Sequence, residues 1–436
     1  MNIAMIGTGY VGLVSAACLA EFGFSVTCVD KNPSIITRLK AGEVTIFEPG
    51  LDDIVARNHR EGRLLFSDDL ASGVRQADVV FLAVGTPSRR GDGEADLQYI
   101  EAAADEVADV MKEGVVIVIK STVMVGTNAR IRARIRARRP GVDFSIVSNP
   151  EFLREGSAIE DFMRPDRVVV GVEDERGRDT MRRVYRPLSL RRTPLFITSL
   201  ENAELIKYAA NAFLAMKVSF INQVADLCEK VGGDVQDVAQ AMGMDRRIGS
   251  LFLHAGPGFG GSCFPKDTRA FAASGRRYGA PQALIENVIT GNEQRKQAMA
   301  ERVIAAAREA KSQTVAVFGV TFKPNTDDVR ESPALDIIAA LSAAGFAVRA
   351  HDPEGMEAAG ALLPGVHWCS SPYEAAEGAG VSVILTEWNA YRALDLKKLK
   401  RLMNGNILMD LRNIYKPEDL AGSGLDYRSI GRPLVK

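Results

Sequence analysis

The sequence has few cysteines and histidines and almost no excess charge of either sign. Its five cysteines are an odd number, widely spaced and without a C-x-x-C pair, which argues for reduced thiols in a cytoplasmic protein rather than for a disulfide framework. The four histidines lack metal-ligand spacing with each other or with cysteine, so we expect no metal site. Because 54 basic residues nearly balance 55 acidic ones, the overall charge favours neither a nucleic acid nor an anionic membrane as a partner.

Long hydrophobic runs are also absent from the sequence. No apolar stretch approaches the ~20 residues that span a bilayer, and the N-terminus shows no charged region followed by an apolar stretch and a cleavage site. We therefore expect neither a membrane helix nor a secretory signal. With 436 residues, 46% of them hydrophobic and 25% charged, the chain is typical of a globular protein of two or three domains.

What the sequence does contain is an alternation of short apolar runs and helical patterns at both ends of the chain. Apolar runs predict buried parallel strands at 3–6, 25–29, 79–84 and 115–119, and again at 315–320, 347–350, 381–385 and 407–410. Residues 201–231 predict a long helix, apolar on nearly every side and therefore buried between domains or subunits. We thus predict an α/β fold in which two Rossmann-like, doubly wound domains (1–199 and 301–436) are joined by a long central helix and a helical middle domain (200–300).

A glycine-rich turn follows the first predicted strand. Gly7, Gly9 and Gly12 fit the pattern G-x-G-x-x-G, and Asp30 ends the next predicted strand. In this context the glycines allow a tight turn, a close approach of a pyrophosphate and packing of helix on strand, while the helix N-terminus offers N–H groups to the phosphates. The Asp30 carboxylate would bond the adenosine ribose and repel a 2′-phosphate, which predicts NAD rather than NADP as the cofactor.

A second glycine-rich segment, residues 256–267, contains a cysteine. Because Pro265 is a favourable first residue of a helix, Cys263 is expected at a helix N-terminus, close to Lys266 and one turn from Asp267. A helix N-terminus and a neighbouring cation both lower the pKa of a thiol, which favours a nucleophilic thiolate over a merely buried cysteine. Together with NAD, a thiolate suggests oxidation of an aldehyde to an acid: a thiohemiacetal forms and loses hydride, and the resulting thioester is hydrolysed.

Other polar residues lie on the central helix or at the ends of predicted strands. Lys207 and Asn211 are four residues apart on one face of the helix and need partners if they are buried, so a structural salt bridge is the alternative to a catalytic role. Thr86, Thr122 and the segment 149–155 follow predicted strands, where ligands bind in open α/β sheets, although each alone is also compatible with an ordinary turn.

The number and order of these motifs resemble the UDP-glucose/GDP-mannose dehydrogenase family over nearly the whole chain. The motifs are GTGYVG at 7–12, EPGL at 48–51, VGTP at 84–87, STV at 121–123, NPEFLREG at 149–156, RIG at 247–249, GPGFGGSCFPKD at 256–267 and FKPNTDDVRESPA at 322–334. The resemblance implies an NAD-dependent homodimer or larger homo-oligomer that oxidises the CH2OH group of a nucleotide sugar to a carboxylate in two steps. UDP-glucose is the expected substrate and UDP-glucuronate the expected product.

The resemblance also implies roles for individual residues. Cys263 is the expected nucleophile, Lys207 stabilises the oxyanion, and Asp267 helps to activate water. Thr122 and Glu151 would position that water, and Asn211 would contribute hydrogen bonds. The residues expected at NAD are Gly7, Gly9, Tyr10, Val11, Gly12, Asp30, Thr86, Thr122, Glu155, Lys266 and Arg330. Those expected at the nucleotide sugar are Glu151, Phe152, Leu153, Arg154, Glu155, Lys207, Asn211, Phe252, Leu253, His254, Ala255, Gly256, Gly260 and Lys323, with Arg247 reaching it across a subunit interface.

Three other functions remain open. GDP-mannose or another nucleotide sugar would undergo the same chemistry, and His254 and Leu411 stand where other residues are common in the family, which leaves local substrate contacts open. A hydroxyacid dehydrogenase would need the glycine fingerprint but not the cysteine segment. An NAD-sensing protein with Cys263 as a redox switch would form no NADH.

Overall fold

A computed structural model describes residues 1–87, 89, 93–189 and 192–433, and these residues form two compact units. The first unit comprises residues 1–210 and 273–280, and the second comprises residues 211–272 and the chain from residue 281 onwards. Within these ranges, no helix has the length and apolar character needed to cross a membrane.

The described residues of the first unit form an eight-stranded sheet with the order β3-β2-β1-β4-β5-β6-β7-β8. Its strands are β1 (Asn2–Ile6), β2 (Ser25–Val29), β3 (Leu64–Ser67), β4 (Val79–Leu82), β5 (Val115–Ile119), β6 (Phe144–Ser148), β7 (Val168–Val172) and β8 (Leu195–Thr198). Neighbouring strands are parallel, except that β6 and β7 are antiparallel. The first six strands have the order of a Rossmann fold, with the topological switch between β1 and β4.

Helices cover this sheet on both faces, which explains why β4 and β5 are apolar at every position and buried throughout. The helices are α1 (Tyr10–Glu21), α2 (Pro33–Lys40), α3 (Leu51–Arg60), α4 (Leu70–Val74), α5 (Gln98–Val110), α6 (Thr127–Arg138), α7 (Ala158–Met163), α8 (Glu175–Val184) and α9 (Arg186–Ser189). In α5, the buried residues Ile100, Ala103, Ala104, Val107 and Ala108 recur with the helical period and form the face toward the sheet.

The second unit contains a six-stranded sheet among its described residues, parallel throughout, with the order β11-β10-β9-β12-β13-β14. The strands are β9 (Thr314–Phe318), β10 (Ala347–His351), β11 (His367–Trp368), β12 (Val381–Ile384), β13 (Ile407–Asp410) and β14 (Asp426–Ser429). This is the same winding as in the first sheet. The predicted fold class, two Rossmann-like sheets with a helical region between them in the chain, is therefore confirmed.

The central helix, α10 (Leu200–Val231), begins in the first unit and ends in the second. It is followed by α11 (Val235–Met244), α12 (Phe264–Arg277), α13 (Ala283–Glu309), α14 (Pro333–Ala343), α15 (Met356–Gly360), α16 (Pro372–Ala376), α17 (Asn389–Arg392), α18 (Leu396–Leu402) and a 3-10 turn at Pro417–Leu420. The sequence predicts that α10 is buried on nearly every side, between domains or subunits, but within this chain one side of the helix is exposed. Phe213, Phe220 and Leu227 are 57%, 48% and 61% exposed and recur every seven residues along one side of the helix.

Candidate active site

The glycine fingerprint forms the turn between β1 and α1 in the first unit. Gly7 has a φ of +102°, and a Cβ on Gly12 would lie 2.0 Å from the Gly7 carbonyl oxygen, so neither position tolerates a side chain. A Cβ on Gly9 would meet no described atom within 4 Å, so there is open space beside this residue. No described side chain caps the N-terminus of α1, which leaves its first N–H groups available for phosphate oxygens. The turn therefore fits a dinucleotide.

Asp30 lies at the end of β2, beside this turn. One carboxylate oxygen accepts hydrogen bonds from the Thr8 backbone N–H at 2.9 Å and the Thr8 hydroxyl at 2.8 Å, and the other accepts from the Asn32 N–H at 3.0 Å. These bonds fix a partly exposed carboxylate at the carboxyl edge of the sheet. Its position and charge fit the adenosine ribose of NAD and disfavour the 2′-phosphate of NADP.

The buried carboxylate of Glu48, in the motif at 48–51, contacts residues of two other sequence motifs. The Tyr10 hydroxyl donates a hydrogen bond to Glu48, whose oxygens also accept from the backbone N–H groups of Gly156 at 2.6 Å and Ala158 at 2.7 Å. The pKa of Tyr10 is raised, first by burial and then by the Glu48 carboxylate. Glu48 thus links the first turn of α1 to the segment that follows β6 through hydrogen bonds.

The loops after β4 and β5 are joined by side-chain hydroxyls. Thr86 donates to the Thr122 carbonyl at 2.8 Å, and Ser121 donates to the Val84 carbonyl at 2.7 Å. Both loops lie at the carboxyl ends of neighbouring strands, next to the topological switch. The structure therefore brings the predicted residues Thr86 and Thr122 together at the edge of the sheet where NAD is expected.

A buried ion pair joins the loop after β6 to the central helix. The Lys207 ammonium donates to a Glu151 carboxylate oxygen at 3.0 Å, and the two side chains are 3% and 6% exposed. Burial raises the pKa of Glu151, but the charge and hydrogen bond of Lys207, the Leu153 N–H and the charge of Lys120 together hold it below its ordinary value. The Lys207 ammonium also lies 5.2 Å from the centre of the Phe152 ring. Glu151 is therefore a buried carboxylate whose charged form is stabilised by its neighbours.

The remaining predicted residues of this loop are less enclosed. Phe152, Leu153 and Glu155 are partly buried, and Arg154 is exposed and pairs with Asp161 at 2.6 Å. Sequence reasoning missed Lys120, which directly follows β5 and is 3% exposed. The available signal was a charged residue at the end of a five-residue apolar run, before the motif at 121–123.

The cysteine segment belongs to the second unit. Cys263 directly precedes α12, and its carbonyl accepts the Asp267 N–H at 2.8 Å, so the predicted position at a helix N-terminus is confirmed. The residue is partly exposed, and the Ser262 hydroxyl lies 3.5 Å from its sulfur. Asp267 is fully buried and accepts hydrogen bonds from the Asn211 amide at 2.6 Å and the Lys266 ammonium at 2.5 Å. A partly exposed thiol, a helix N-terminus and a buried carboxylate are thus collected within one turn of α12.

The glycines before Cys263 allow close packing on the segment 322–332. A Cβ on Gly260 would lie 2.3 Å from the Glu331 carbonyl oxygen, and one on Gly261 would lie 2.7 Å from the Phe322 ring. The Gly261 N–H donates to the Arg330 carbonyl at 2.8 Å. Arg330, a predicted NAD contact, is exposed and pairs with Asp328 at 2.7 Å. The glycines therefore place the segment containing Arg330 against the cysteine segment.

The segment predicted to hold the nucleotide sugar is anchored at Gly256. Its N–H donates to the Asn222 amide oxygen at 2.8 Å, and its carbonyl accepts from the buried Arg295 guanidinium at 3.1 Å. Leu253 and Ala255 are buried, whereas His254 is exposed. Contacts from Leu253 and Ala255 to a ligand would therefore involve the backbone. Sequence reasoning missed both Asn222 and Arg295, which are far from this segment in the chain.

Two further predicted residues lie at the surface of the second unit or close to it. Lys323 is partly buried, and its ammonium lies 5.5 Å from the centre of the Phe322 ring. Arg247 is exposed and bonds Asp245 at 2.5 Å. An exposed arginine can contact a group outside this chain, which is compatible with the role expected across a subunit interface.

One group of potential metal ligands lies elsewhere in the second unit. Ligand atoms of His367, Cys369 and Glu374 all lie within 4.8 Å of one another. Glu374, however, already accepts hydrogen bonds from the Ser370 N–H and hydroxyl at 2.8 and 2.6 Å. Burial raises the pKa of the Cys369 thiol although the Arg349 guanidinium acts on it in the opposite direction. The Glu374 carboxylate in this group therefore already has hydrogen-bonding partners within the chain.

The glycine turn, Asp30 and the strand order define an NAD-dependent dehydrogenase. Three models of the UDP-glucose/GDP-mannose dehydrogenase family match the chain: the NAD binding domain at residues 1–189, the central domain at 201–294 and the UDP binding domain at 316–417. The chain belongs to the UDP-glucose/GDP-mannose dehydrogenase family.

Full-length relatives support this assignment. The chain is 56% identical over 436 residues to a UDP-glucose 6-dehydrogenase of Rhizobium meliloti (strain 1021), covering 99% of this chain and 100% of that protein. It is 45% identical to the UDP-glucose 6-dehydrogenase TuaD of Bacillus subtilis (strain 168), covering 100% and 94%. The structure of a UDP-glucose dehydrogenase from the hyperthermophilic archaeon Pyrobaculum islandicum is similar, with a TM-score of 0.89, 39% identity and 95% of each chain covered.

Proposed function

We propose that the protein catalyses the NAD-dependent oxidation of UDP-glucose to UDP-glucuronate. For each UDP-glucose, two NAD+ and one water are consumed, and two NADH and three protons are released with the product. The observation that carries this proposal is the partly exposed Cys263 at the N-terminus of α12, one turn before the buried Asp267. The names of the full-length relatives support UDP-glucose rather than GDP-mannose as the substrate.

The first oxidation converts the sugar alcohol to an aldehyde. NAD+ held at the fingerprint would accept the hydride, with one NAD+ for each of the two oxidations. The hydroxyl proton leaves to water held by Thr122 and Glu151, and the Lys207 ammonium stabilises the negative charge on the oxygen. The buried pair of Lys207 and Glu151 supports these roles because it fixes both charged groups before the substrate arrives.

The second oxidation and the hydrolysis depend on Cys263. The thiolate attacks the aldehyde carbon and forms a C–S bond, and the carbonyl oxygen takes a proton to give a thiohemiacetal. Loss of the second hydride and the hydroxyl proton gives a thioester. Water then attacks the thioester carbon and gives up a proton to Asp267, and the C–S bond breaks to release the acid and the thiolate. The bonds from Asn211 and Lys266 support this role, since they orient the Asp267 carboxylate.

We also propose that the enzyme works in the cytoplasm as a homodimer or larger homo-oligomer. Five cysteines without a disulfide support a reducing compartment. The exposed apolar side of α10 supports self-association, because a second copy would bury Phe213, Phe220 and Leu227 in a seven-residue repeat. Phe220→Glu should lower the mass measured by light scattering, whereas Leu362→Glu, at another exposed apolar position, should not. Equal masses for both variants would refute this interface.

The substrate is tested by the absorbance of NADH with a panel of nucleotide sugars. UDP-glucose should give two NADH per sugar consumed, with UDP-glucuronate identified by mass. GDP-mannose and UDP-N-acetylmannosamine should react far more slowly. A yield of one NADH would indicate a simple alcohol dehydrogenase, and no NADH with any sugar would favour the NAD-sensing alternative.

A further inference from the structure

Lys120 is a buried lysine that the mechanism above does not use. It directly follows β5, and its backbone N–H donates to the Leu82 carbonyl at 2.9 Å. Among the described residues, its ammonium has one hydrogen-bonding partner, the neutral amide oxygen of Asn149 at 3.3 Å. Lys120 is 3% exposed, and burying its ammonium with a neutral partner costs free energy, so packing alone does not explain a lysine at this position.

The partners of Asn149 hold the Lys120 ammonium in place. Asn149 follows β6 and also accepts the Tyr185 hydroxyl at 2.5 Å, and its amide donates to the Val169 carbonyl at 2.9 Å. The Lys120 ammonium also lies 5.8 Å from the centre of the Phe162 ring. These contacts fix a positive charge at the carboxyl edge of the first sheet.

The charges that act on Lys120 belong to the ion pair of the proposed site. Burial lowers the pKa of Lys120 to about 8, the Lys207 charge acts in the same direction, and the Glu151 charge opposes it. In turn, Lys120 is one of the groups that lower the pKa of Glu151 against the effect of burial. The third titratable side chain at this place is Tyr185, which reaches Lys120 through Asn149. Glu151 is therefore stabilised by two ammonium groups.

We propose that Lys120 is a positioning residue that keeps the Glu151 carboxylate charged while Lys207 bonds the reacting oxygen. The inference rests on the proposed function, because Lys207 then has to share its ammonium between Glu151 and the substrate. During that step Lys120 is the second cation that stabilises the buried carboxylate. This role needs no contact between Lys120 and the substrate or NAD.

Neutral substitutions of Lys120 test the proposal. Lys120→Met removes the charge, and Lys120→Gln does so while keeping an N–H donor for Asn149. In both variants the pKa of Glu151 should rise, so the acid limb of the kcat profile should move to higher pH by about one unit. Lys120→Arg keeps the charge and should keep the limb near its original pH. Lys112→Met, which removes a lysine that pairs with Asp78 near the surface of the same unit, should leave the profile unchanged.

The failures of the two proposals are distinguishable. If the unmodified enzyme gives two NADH per UDP-glucose but the acid limb stays in place in both neutral variants, the inference on Lys120 alone is wrong. If the neutral variants do not fold, infrared spectra of the unmodified enzyme decide. The carboxylate band of Glu151, assigned by its loss in Glu151→Gln, should shift as the pH rises through about 8, where Lys120 loses its proton. A band that does not move would overturn the inference.

Discussion

The ammonium of Lys207 lies 3.0 Å from the carboxylate of Glu151, and both side chains are almost completely buried. Removing either charge alone breaks a buried ion pair, and such losses typically cost roughly 3–5 kcal/mol. A simple loss of activity in a variant of Lys207 would therefore not separate a catalytic role from a structural one.

A double substitution separates the two roles of Lys207. Lys207→Met should lower kcat by about 10²–10⁴, the range for a positioned electrostatic group, and should also lower the free energy of unfolding. Adding Glu151→Gln should restore much of the stability but not the turnover, because the buried charge left by the broken ion pair is gone, while the oxyanion still lacks Lys207 and the water now lacks the Glu151 carboxylate. Urea denaturation and steady-state kinetics on the three proteins provide the measurement. Recovery of turnover in the double variant would make Lys207 merely structural.

Cys263→Ser should abolish formation of the acid while binding of NAD and substrate persists. A serine keeps the shape of the site, but its hydroxyl is a far weaker nucleophile than a thiolate at neutral pH. Mass analysis of the products measures the loss of the acid, and calorimetry measures the binding of NAD and substrate. Asp267→Asn is the companion variant: it keeps the thiol but slows hydrolysis, so a covalent adduct should accumulate on Cys263. A fully active Cys263→Ser enzyme would refute the thioester route.

Asp30→Ala should narrow the preference for NAD over NADP, because the charge that repels the 2′-phosphate is lost. The same change removes the acceptor of the two Thr8 bonds, so a lower melting temperature is also expected. Asp30→Asn keeps an acceptor for Thr8 and should change the preference with less loss of stability. The ratio of kcat/KM for the two cofactors is the measurement, with Asp53→Ala at an exposed position as the control. Equal use of both cofactors by the unmodified enzyme would contradict the assignment.

Lys120 should make the stability depend on pH above neutrality. Its pKa is about 8 in the folded protein and about 10.5 in an unfolded chain, so between these values the unfolded chain binds more protons. The free energy of unfolding should therefore rise with pH over this range, by up to about 3 kcal/mol relative to Lys120→Met. Denaturation curves of both proteins from pH 8 to 10.5 give the difference. If the free energy of unfolding changes with pH by the same amount in both proteins, the pKa of Lys120 is not lowered by folding and the prediction is wrong.

The prediction from the sequence was accurate where the information is local. A fingerprint of three glycines can be recognised because the turn, the helix N-terminus and the strand before it are all made by neighbouring residues. The helix N-terminus at Cys263 was predictable for the same reason, since Pro265 fixes the start of α12 within one residue. The roles predicted for individual site residues depend on ligands and remain predictions.

By itself, the sequence determined the α/β class, the NAD fingerprint and the position of Cys263 at a helix end, because hydrophobic period and turn chemistry act over a few residues. Only the tertiary structure decided which charges pair. Lys207 and Glu151, like Asn211 and Asp267, are 56 residues apart in the chain. It also decided that Lys120 is buried beside Asn149 and that one side of α10 is exposed. These features follow from the packing of segments that are distant in the chain. Because burying a charge or polar group without a partner costs free energy, the groups that packing buries are found paired with one another.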